Sequence, residues 1–516
     1  MVVLAAALLI AAAATHPDLV STVSGRVSGV AGHDPTVTVF KGIPFAAPPV
    51  GDMRWRPPGP APHWDGERKA DSFGDICMQR QPPQMHTPMS ENCLFLNVWT
   101  SRSGADVKKP VFVWIYGGRF IFGAGSQPDY DGEGLAKKGL VVVTLNYRTG
   151  VFGFLATPEL SEESGHNASG NYGLLDQIAA LKWVQDNIAA FGGEPNNVTV
   201  AGQSAGAASV LQLIDSPLAK GLFKRAIPES GALYPNDPLI SGLAPSWRPL
   251  REAEAAGAAY AERAGAKSLA ALRMLPADRL MVENNLDDET VQGRPPLFRP
   301  VVDGWVVPKS YGDTLRGGTQ NDVAVLTGYN LDEAGAETQI KLTLVQYKAQ
   351  VATTYGAMAD QFLQLYPATS DAAATAAWKS AARDSVRVSS WLWGRLFDEK
   401  RRGPVYTYYW THVPGSPEGS RRGAYHGAEI NFAFNNLYAV DAPWTADDRR
   451  IADIVSTYWV NFAKSGNPNG PGLPVWNPVH VEPSVMEIGD EFAPRPLADA
   501  ARRAFFEQFF KGQRSW

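Results

Sequence analysis

Short apolar runs, rich in valine and aromatic residues, recur along the chain and are separated by segments with a helical pattern. Helical periodicity is clearest in GLLDQIAALKWVQDNIAAFG and PLREAEAAGAAYAERAG. Strands that alternate with helices form a mainly parallel sheet. The sequence therefore predicts an α/β fold with a large, mostly parallel twisted sheet and helices on both faces. The runs that we interpret as its buried strands are 110–116, 140–147, 197–202, 322–328 and 405–410.

The start of the chain has a pattern more typical of antiparallel strands. The segments TVSGRVSG (22–29) and TVTVFKGIPFA (36–46) predict a small leading ribbon. No repeat, low-complexity linker or charge block marks a domain boundary, and a single large α/β domain can reach this length of 516 residues. We therefore expect one domain over residues 15–516.

Residues 1–14 are an apolar stretch of signal-peptide length that ends in small residues. They predict a secretory signal peptide, although the usual Lys or Arg near its start is missing, which leaves an uncleaved apolar leader as the alternative. No later segment has the ~18 uninterrupted apolar residues of a membrane span. We expect a secreted protein, extracellular or periplasmic, without a membrane anchor.

The charge and the cysteines narrow the possible partners. A net charge of −5 provides no basic surface for nucleic acid. Cys77 and Cys93 are close in sequence, which in a secreted chain favours a disulfide over two free thiols. A metal site is a poorer interpretation, because no histidine has zinc-type spacing to either cysteine.

One motif carries chemistry. The strand NVTVAG leads into Gln203, Ser204, Ala205 and Gly206 and then into an alanine-rich helical stretch. This is the pattern G-x-S-x-G in the order strand, sharp turn, helix. Such a turn, called a nucleophile elbow, exposes a nucleophilic serine at the edge of a sheet. A structural turn is the alternative for this segment taken alone.

A serine nucleophile needs a histidine base, which in turn needs an orienting acid. Among eight histidines, His426 in RRGAYHGAEINFAFNN lies between small residues in a loop after a predicted strand, where it could reach across the sheet edge. The others lie near the terminus, in proline-rich or polar loops, or at a strand end: His16, His33, His63, His86, His166, His412 and His480.

Several segments together resemble one family. FKGIPFAAPPVGDMRWRPP, SENCLFLNVWT, VWIYGGRF, LNYRTGVFGFL, VTVAGQSAG, FKRAIPESG, TGYNLDEAG and GAYHGAEI follow one another from about residue 20 to past residue 460. In this order they resemble the type B carboxylesterases, a family with the α/β-hydrolase fold that includes the cholinesterases. The resemblance implies Ser204 as nucleophile, His426 as general base and Glu333 as the acid. Spacing alone leaves Asp332 as a competitor of Glu333.

The same resemblance implies the reaction. Ser204 would attack an ester carbonyl, and water would hydrolyse the resulting acyl-enzyme, with no cofactor and no metal. The backbone N–H groups of Gly118, Arg119 and Ala205 would form the oxyanion hole. A lipase or an amidase of the same fold is an alternative, and the sequence favours neither a monomer nor a dimer.

Further residues have structural roles in the family. Arg54 with Glu91, and Arg148 with Asp176, are expected to form internal ion pairs. Ser230 resembles a serine that supports the acid, although a core hydroxyl is an equal interpretation. The Cys77 and Cys93 pair matches the family's first disulfide.

Two positions bear on the substrate. Cholinesterases carry a glutamate before the serine and a tryptophan in the disulfide loop, whereas this chain has Gln203 and no tryptophan there, so choline esters are disfavoured. Gln203 is a candidate substrate contact, or packs the elbow. Arg119 replaces the third glycine of the family's G-G-G turn: it either favours esters that carry a carboxylate near the reacting bond, points to solvent, or distorts the oxyanion hole and leaves a catalytically weak binding protein.

Overall fold

The computed structural model describes residues 19–80, 87–101, 108–238, 248–290, 293–333, 340–399 and 403–515. The predicted leader, residues 1–14, lies outside these ranges. The strands within them, in chain order, are β1 Leu19–Thr22, β2 Gly25–Ser28, β3 Val30–Ala31, β4 Val37–Pro44, β5 Glu67–Lys69, β6 Ile76–Cys77, β7 Met89–Ser90, β8 Phe95–Ser101, β9 Lys109–Ile115, β10 Val141–Leu145, β11 Gly193–Gln203, β12 Arg225–Glu229, β13 Arg248–Pro249, β14 Val301–Val302, β15 Ala324–Asn330, β16 Val405–Trp410, β17 Ser484–Ile488 and β18 Phe492–Pro496.

The α-helices of the same ranges lie mostly between these strands. They are α1 Glu133–Lys137, α2 Gly150–Phe154, α3 Pro158–Glu163, α4 Tyr172–Asn187, α5 Ala205–Asp215, α6 Leu250–Arg263, α7 Leu269–Met274, α8 Ala277–Met281, α9 Tyr311–Gly317, α10 Leu344–Tyr355, α11 Ala359–Leu365, α12 Asp371–Asp398, α13 Pro417–Arg422, α14 Ile430–Phe434, α15 Ala446–Ser465 and α16 Ala500–Lys511. None of the helices in the described part of the chain is long and apolar enough to cross a membrane.

The large sheet has eleven strands in the order β3-β4-β8-β10-β9-β11-β12-β15-β16-β17-β18. Its seven central strands, from β10 to β17 in that order, pair in parallel, and the outer strands pair antiparallel. Every residue of β10, β15 and β16 is buried, as expected where helices cover both faces of a parallel sheet. The predicted mainly parallel sheet is confirmed.

The predicted leading ribbon is only half correct. β1 and β2 form an antiparallel pair, joined in a small separate sheet by β5, which is parallel to β2. The second predicted segment, β4, instead pairs antiparallel with β8 in the large sheet. Seven of the eight residues of β4 are buried, so the strand lies in the core and could not form part of an exposed ribbon.

The sheet sets the positions of the predicted site residues. Successive parallel strands end at the same edge, and loops after their carboxyl ends form the usual ligand crevice of open α/β sheets. The stretch Gly117–Arg119 follows β9, Ser204 follows β11, Glu333 follows β15 and His426 follows β16. The topology therefore gathers residues that are far apart in sequence.

Candidate active site

Ser204 lies in a strained turn between β11 and α5. Its backbone has φ +60° and ψ −123°, a conformation that L-residues rarely adopt and that costs of order 1–3 kcal/mol. The turn is tight: a Cβ atom on Gly206 would lie 2.1 Å from the carbonyl oxygen of Ile115. A glycine is required there, as in the predicted elbow, and the serine side chain stays partly exposed at the sheet edge.

Glu333 and His426 meet across the crevice. The Nδ1 atom of His426 is hydrogen-bonded to Oε2 of Glu333. The other carboxylate oxygen, Oε1, accepts hydrogen bonds from Ser230 Oγ at 2.6 Å and from the backbone N–H of Asn330 at 2.9 Å. The expected contact of Ser230 with Glu333 is therefore present.

The electrostatic effect of this contact is mutual. Burial acts to raise the pKa of Glu333, but attraction to His426 and the three hydrogen bonds outweigh it, so the pKa lies below its ordinary value. Burial acts to lower the pKa of His426, but Glu333 and then Glu429 outweigh it, and the pKa lies above its ordinary value of 6.5. The pair favours an ionised carboxylate that can stabilise an imidazolium.

Asp332, which spacing left as a competitor of Glu333, has other partners. Its Oδ1 atom forms an ion pair with Arg383 at 2.8 Å, and its Oδ2 atom accepts the backbone N–H of Ala424 at 3.0 Å. The carboxylate that contacts the imidazole is Glu333.

Gln203 contacts the other side of the imidazole. Its side-chain Nε2 lies 3.1 Å from Nε2 of His426, and its side chain is buried. Since Nδ1–H donates to Glu333, Nε2 of the neutral ring is an acceptor and the amide of Gln203 donates to it. The sequence did not indicate this contact, because glutamine and histidine are 223 positions apart.

The turn after β9 packs directly on the elbow. A Cβ atom on Gly117 would lie 2.7 Å from the carbonyl oxygen of Gln203 and 3.1 Å from Cβ of Ser204. The predicted oxyanion hole consists of the backbone N–H groups of Gly118, Arg119 and Ala205. Within the described ranges, none of these three groups donates a hydrogen bond to the protein.

Arg119 keeps the turn in a glycine-like conformation. Its φ is +55°, in the left-handed region, which costs roughly 1–2 kcal/mol for a residue with a Cβ atom. Its guanidinium Nη2 donates to Asp287 Oδ1 at 2.9 Å and to the carbonyl oxygen of Arg294 at 3.0 Å. These bonds join the turn to Asp287 and Arg294, and the Arg119 side chain is 51% exposed.

A cavity of about 500 Å³ opens beside the imidazole. Gln203 and His426, which contact each other, both line it. The lining also includes aromatic and acidic side chains: Asp129, Tyr425, Asp441 and Trp444. The described residues contain no cluster of three or more His, Cys, Asp or Glu side chains suited to hold a metal ion.

The expected structural pairs are also present. Arg54 bonds both carboxylate oxygens of Glu91, at 2.6 and 2.5 Å. Arg148 bonds both oxygens of Asp176, at 2.8 and 2.7 Å, where both side chains are almost fully buried. The expected disulfide between Cys77 and Cys93 is present as well.

Known proteins of one family are similar to this chain over most of its length. The model of the carboxylesterase family matches residues 16–505. Fumonisin B1 esterase of Sphingopyxis macrogoltabida is 38% identical over 504 residues, covering 94% of this chain and 89% of that protein. Carboxylesterase 1D of Rattus norvegicus is 32% identical, covering 92% and 90%. A solved PNB esterase superposes with a TM-score of 0.78 at 30% identity, covering 95% of this chain and 100% of its own.

The chain therefore belongs to the carboxylesterase family. It is a carboxylic ester hydrolase with the α/β-hydrolase fold.

Proposed function

We propose that the protein hydrolyses carboxylic esters to acid and alcohol through an acyl-enzyme on Ser204. One observation carries this assignment: the imidazole of His426 donates through Nδ1 to Glu333, which leaves Nε2 as the acceptor that a general base requires. The strained turn at Ser204 supports the serine as the group deprotonated. The amide of the neighbouring Gln203 contacts this same Nε2, so it has to give way to the serine hydroxyl for the proton transfer.

Each residue then has one role. His426 takes the Ser204 proton as the hydroxyl attacks the ester carbonyl, and returns it to the leaving alcohol. Water then attacks the acyl-enzyme with the same help from His426, which releases the acid and frees Ser204. The N–H groups of Gly118, Arg119 and Ala205 donate to the oxyanion, where one such donor is worth about 3–4 kcal/mol.

Hydrolysis of p-nitrophenyl butyrate by the Ser204→Ala variant tests the nucleophile. Loss of a nucleophilic serine should lower kcat by about 10⁶-fold. Ser72→Ala, at an exposed serine, is the matched control and should keep parent activity. Turnover by Ser204→Ala at the parent rate would remove Ser204 from the mechanism, and a parent protein without serine-dependent turnover would favour a binding role.

We also propose that Arg119 favours esters with a carboxylate near the reacting bond. Only Nη2 of its guanidinium has protein partners within the described ranges, so Nε and Nη1 remain as donors for a substrate carboxylate. Gln203, which lines the cavity, is the second proposed substrate contact.

Dimethyl adipate and its monomethyl ester form a matched neutral and anionic pair for this test. The kcat/KM ratio of monoester to diester should fall about fivefold in Arg119→Gln, because an exposed ion pair is worth at most about 1 kcal/mol. Asp287→Asn, which removes the competing carboxylate, should raise the ratio. An unchanged ratio in both variants would assign the side chain no part in selection. Because one relative is named a fumonisin B1 esterase, that ester belongs in the same panel.

Export to an oxidising compartment is a further part of the proposal. The disulfide between Cys77 and Cys93 supports it, since disulfides persist in such compartments. Expression with residues 1–14 present, followed by mass analysis of the exported protein, should show cleavage near Ala13 or Ala14. Retention of the full-length protein inside the cell would contradict this expectation.

A further inference from the structure

Two glutamates that the proposed mechanism does not use lie close to its residues in sequence. Glu229 ends β12, directly before Ser230, and Glu429 comes three residues after His426. Both side chains are completely buried, at 0% exposure. A buried carboxylate needs compensation, because moving its charge out of water is costly.

The hydrogen bonds around the two carboxyl groups leave one oxygen of each without a donor. Glu229 Oε1 accepts the indole N–H of Trp459 at 2.7 Å, and Glu429 Oε2 accepts the side-chain amide of Asn330. Among the described residues, Glu229 Oε2 and Glu429 Oε1 receive no hydrogen bond, and neither glutamate forms an ion pair with Lys or Arg. Two full negative charges in this place would have almost no compensation.

Each of the two glutamates faces the charge of a further carboxyl group. Burial, and then the charge of Glu429, raise the pKa of Glu229 well above its ordinary value. Burial, and then the charge of Glu333, raise that of Glu429. The titratable and charged groups coupled to the two glutamates or to the neighbouring imidazole are Glu333, His426, Tyr408, Tyr425 and Arg422.

We propose that Glu229 and Glu429 hold one proton between them and thereby keep a single negative charge next to the Glu333–His426 couple. Geometry puts the two groups in one buried region, because Glu229 pairs in register with Gly328 of β15 and Asn330, on the same strand, binds Glu429. Carboxyl groups so placed do not both ionise, so one retains its proton while the other is charged. The inference rests on the proposed function, because the remaining charge then helps to stabilise the imidazolium that forms on His426. The two glutamates are positioning residues that act through His426.

The pH profile of kcat/KM separates this arrangement from two independent charges. The profiles compare the parent protein, Glu229→Gln, Glu429→Gln, the double variant and the exposed control Glu482→Gln, with p-nitrophenyl butyrate as substrate. The parent's acid limb should have its midpoint above 6.5, and each single variant should stay within about 0.3 pH units of it, because the remaining glutamate ionises and keeps one charge. The double variant loses that charge, and its acid limb should move to lower pH by at least about half a unit.

Equal downward shifts in the two single variants, which add in the double variant, would overturn the proposal, since they would show two separate charges. The single variants are decisive even if the double variant does not fold.

Infrared difference spectra provide a readout that does not depend on turnover. At pH 7.5 the parent minus Glu229→Gln and the parent minus Glu429→Gln spectra should each show the carbonyl band of a protonated carboxyl group, and the parent minus Glu482→Gln spectrum should not. The absence of the band from the first two spectra would overturn the shared proton. The protonated carboxyl group should also be present in Ser204→Ala. Loss of turnover in that variant therefore bears on the proposed mechanism and not on the proton shared by Glu229 and Glu429.

Discussion

Two pairs of ionisable side chains at the same end of the sheet have opposite electrostatic surroundings. Glu333 contacts His426 and accepts hydrogen bonds from Ser230 and Asn330, and its pKa lies below the ordinary value. Among the described residues, Glu229 and Glu429 each have one side-chain donor and neither has a Lys or Arg partner, and burial raises the pKa of both. Burial acts in the same direction on all three carboxyl groups. The difference shows that nearby donors and cations decide which acid here is charged.

Among substitutions of these acidic residues, the largest effect is expected from removing the charge of Glu333. Glu333→Gln should lower kcat by about 10⁴-fold, because the amide cannot hold the imidazole tautomer or stabilise the imidazolium. Asp332→Asn is the matched control at the neighbouring acid and should retain kcat within about tenfold. Steady-state kinetics with p-nitrophenyl butyrate measure both. A greater loss in Asp332→Asn would return the role of the acid to Asp332.

Stability should separate a buried acid that has a cation from one that has none. Asp176→Ala leaves Arg148 buried and unpaired, and should lower the free energy of unfolding by about 3–5 kcal/mol. Glu229→Gln leaves no unpaired charge and should cost less than about 1 kcal/mol at pH 7. Urea denaturation followed by circular dichroism measures both values. Equal losses would show that Glu229 is held as a compensated carboxylate.

The pH dependence of stability should distinguish the parent protein from Glu229→Gln. The folded pKa of Glu229 lies above its ordinary value of 4.5, so the stability that its proton contributes is fully present below pH 4.5 and is lost as the pH rises through the folded value. Within that window the parent should lose about 1.4 kcal/mol of unfolding free energy per pH unit relative to the variant. Urea titrations at pH 5, 6 and 7 measure the slopes. Parallel slopes would contradict the raised pKa.

The smallest effect is expected for an exposed pair, Arg119 with Asp287. A double-mutant cycle of Arg119→Ala and Asp287→Ala should give a coupling free energy below about 1 kcal/mol, because both side chains are more than 40% exposed and water screens their charges. The coupling should decrease in 1 M NaCl. A salt-independent coupling above about 2 kcal/mol would show that this contact holds the turn as firmly as a buried pair does.

Local patterns were sufficient for much of the fold and for the tight turn at Ser204. Glycines on both sides of Ser204, between a strand and a helix, require a tight turn wherever such a chain folds, and the observed φ of +60° agrees. The helix predicted in GLLDQIAALKWVQDNIAAFG is α4 followed by a 3₁₀ turn, Ile188–Phe191. Strand β4 was misassigned because alternation does not show which sheet a strand joins. Its partner β8 lies more than fifty residues further along the chain.

By itself, the sequence determined the alternation of strands and helices, the elbow at Ser204 and the candidates for its partners, because these depend on residues that are neighbours in the chain. Spacing alone left the acid open between Asp332 and Glu333; the resemblance favoured Glu333, and the contact with His426 agrees. Tertiary structure alone decided that Gln203 lies against His426, that Arg119 joins Asp287, and that Glu229 and Glu429 are both buried with no Lys or Arg partner among the described residues. These contacts join strand ends from distant parts of the chain. Their charges depend on burial and on nearby donors, which exist only after the sheet has formed.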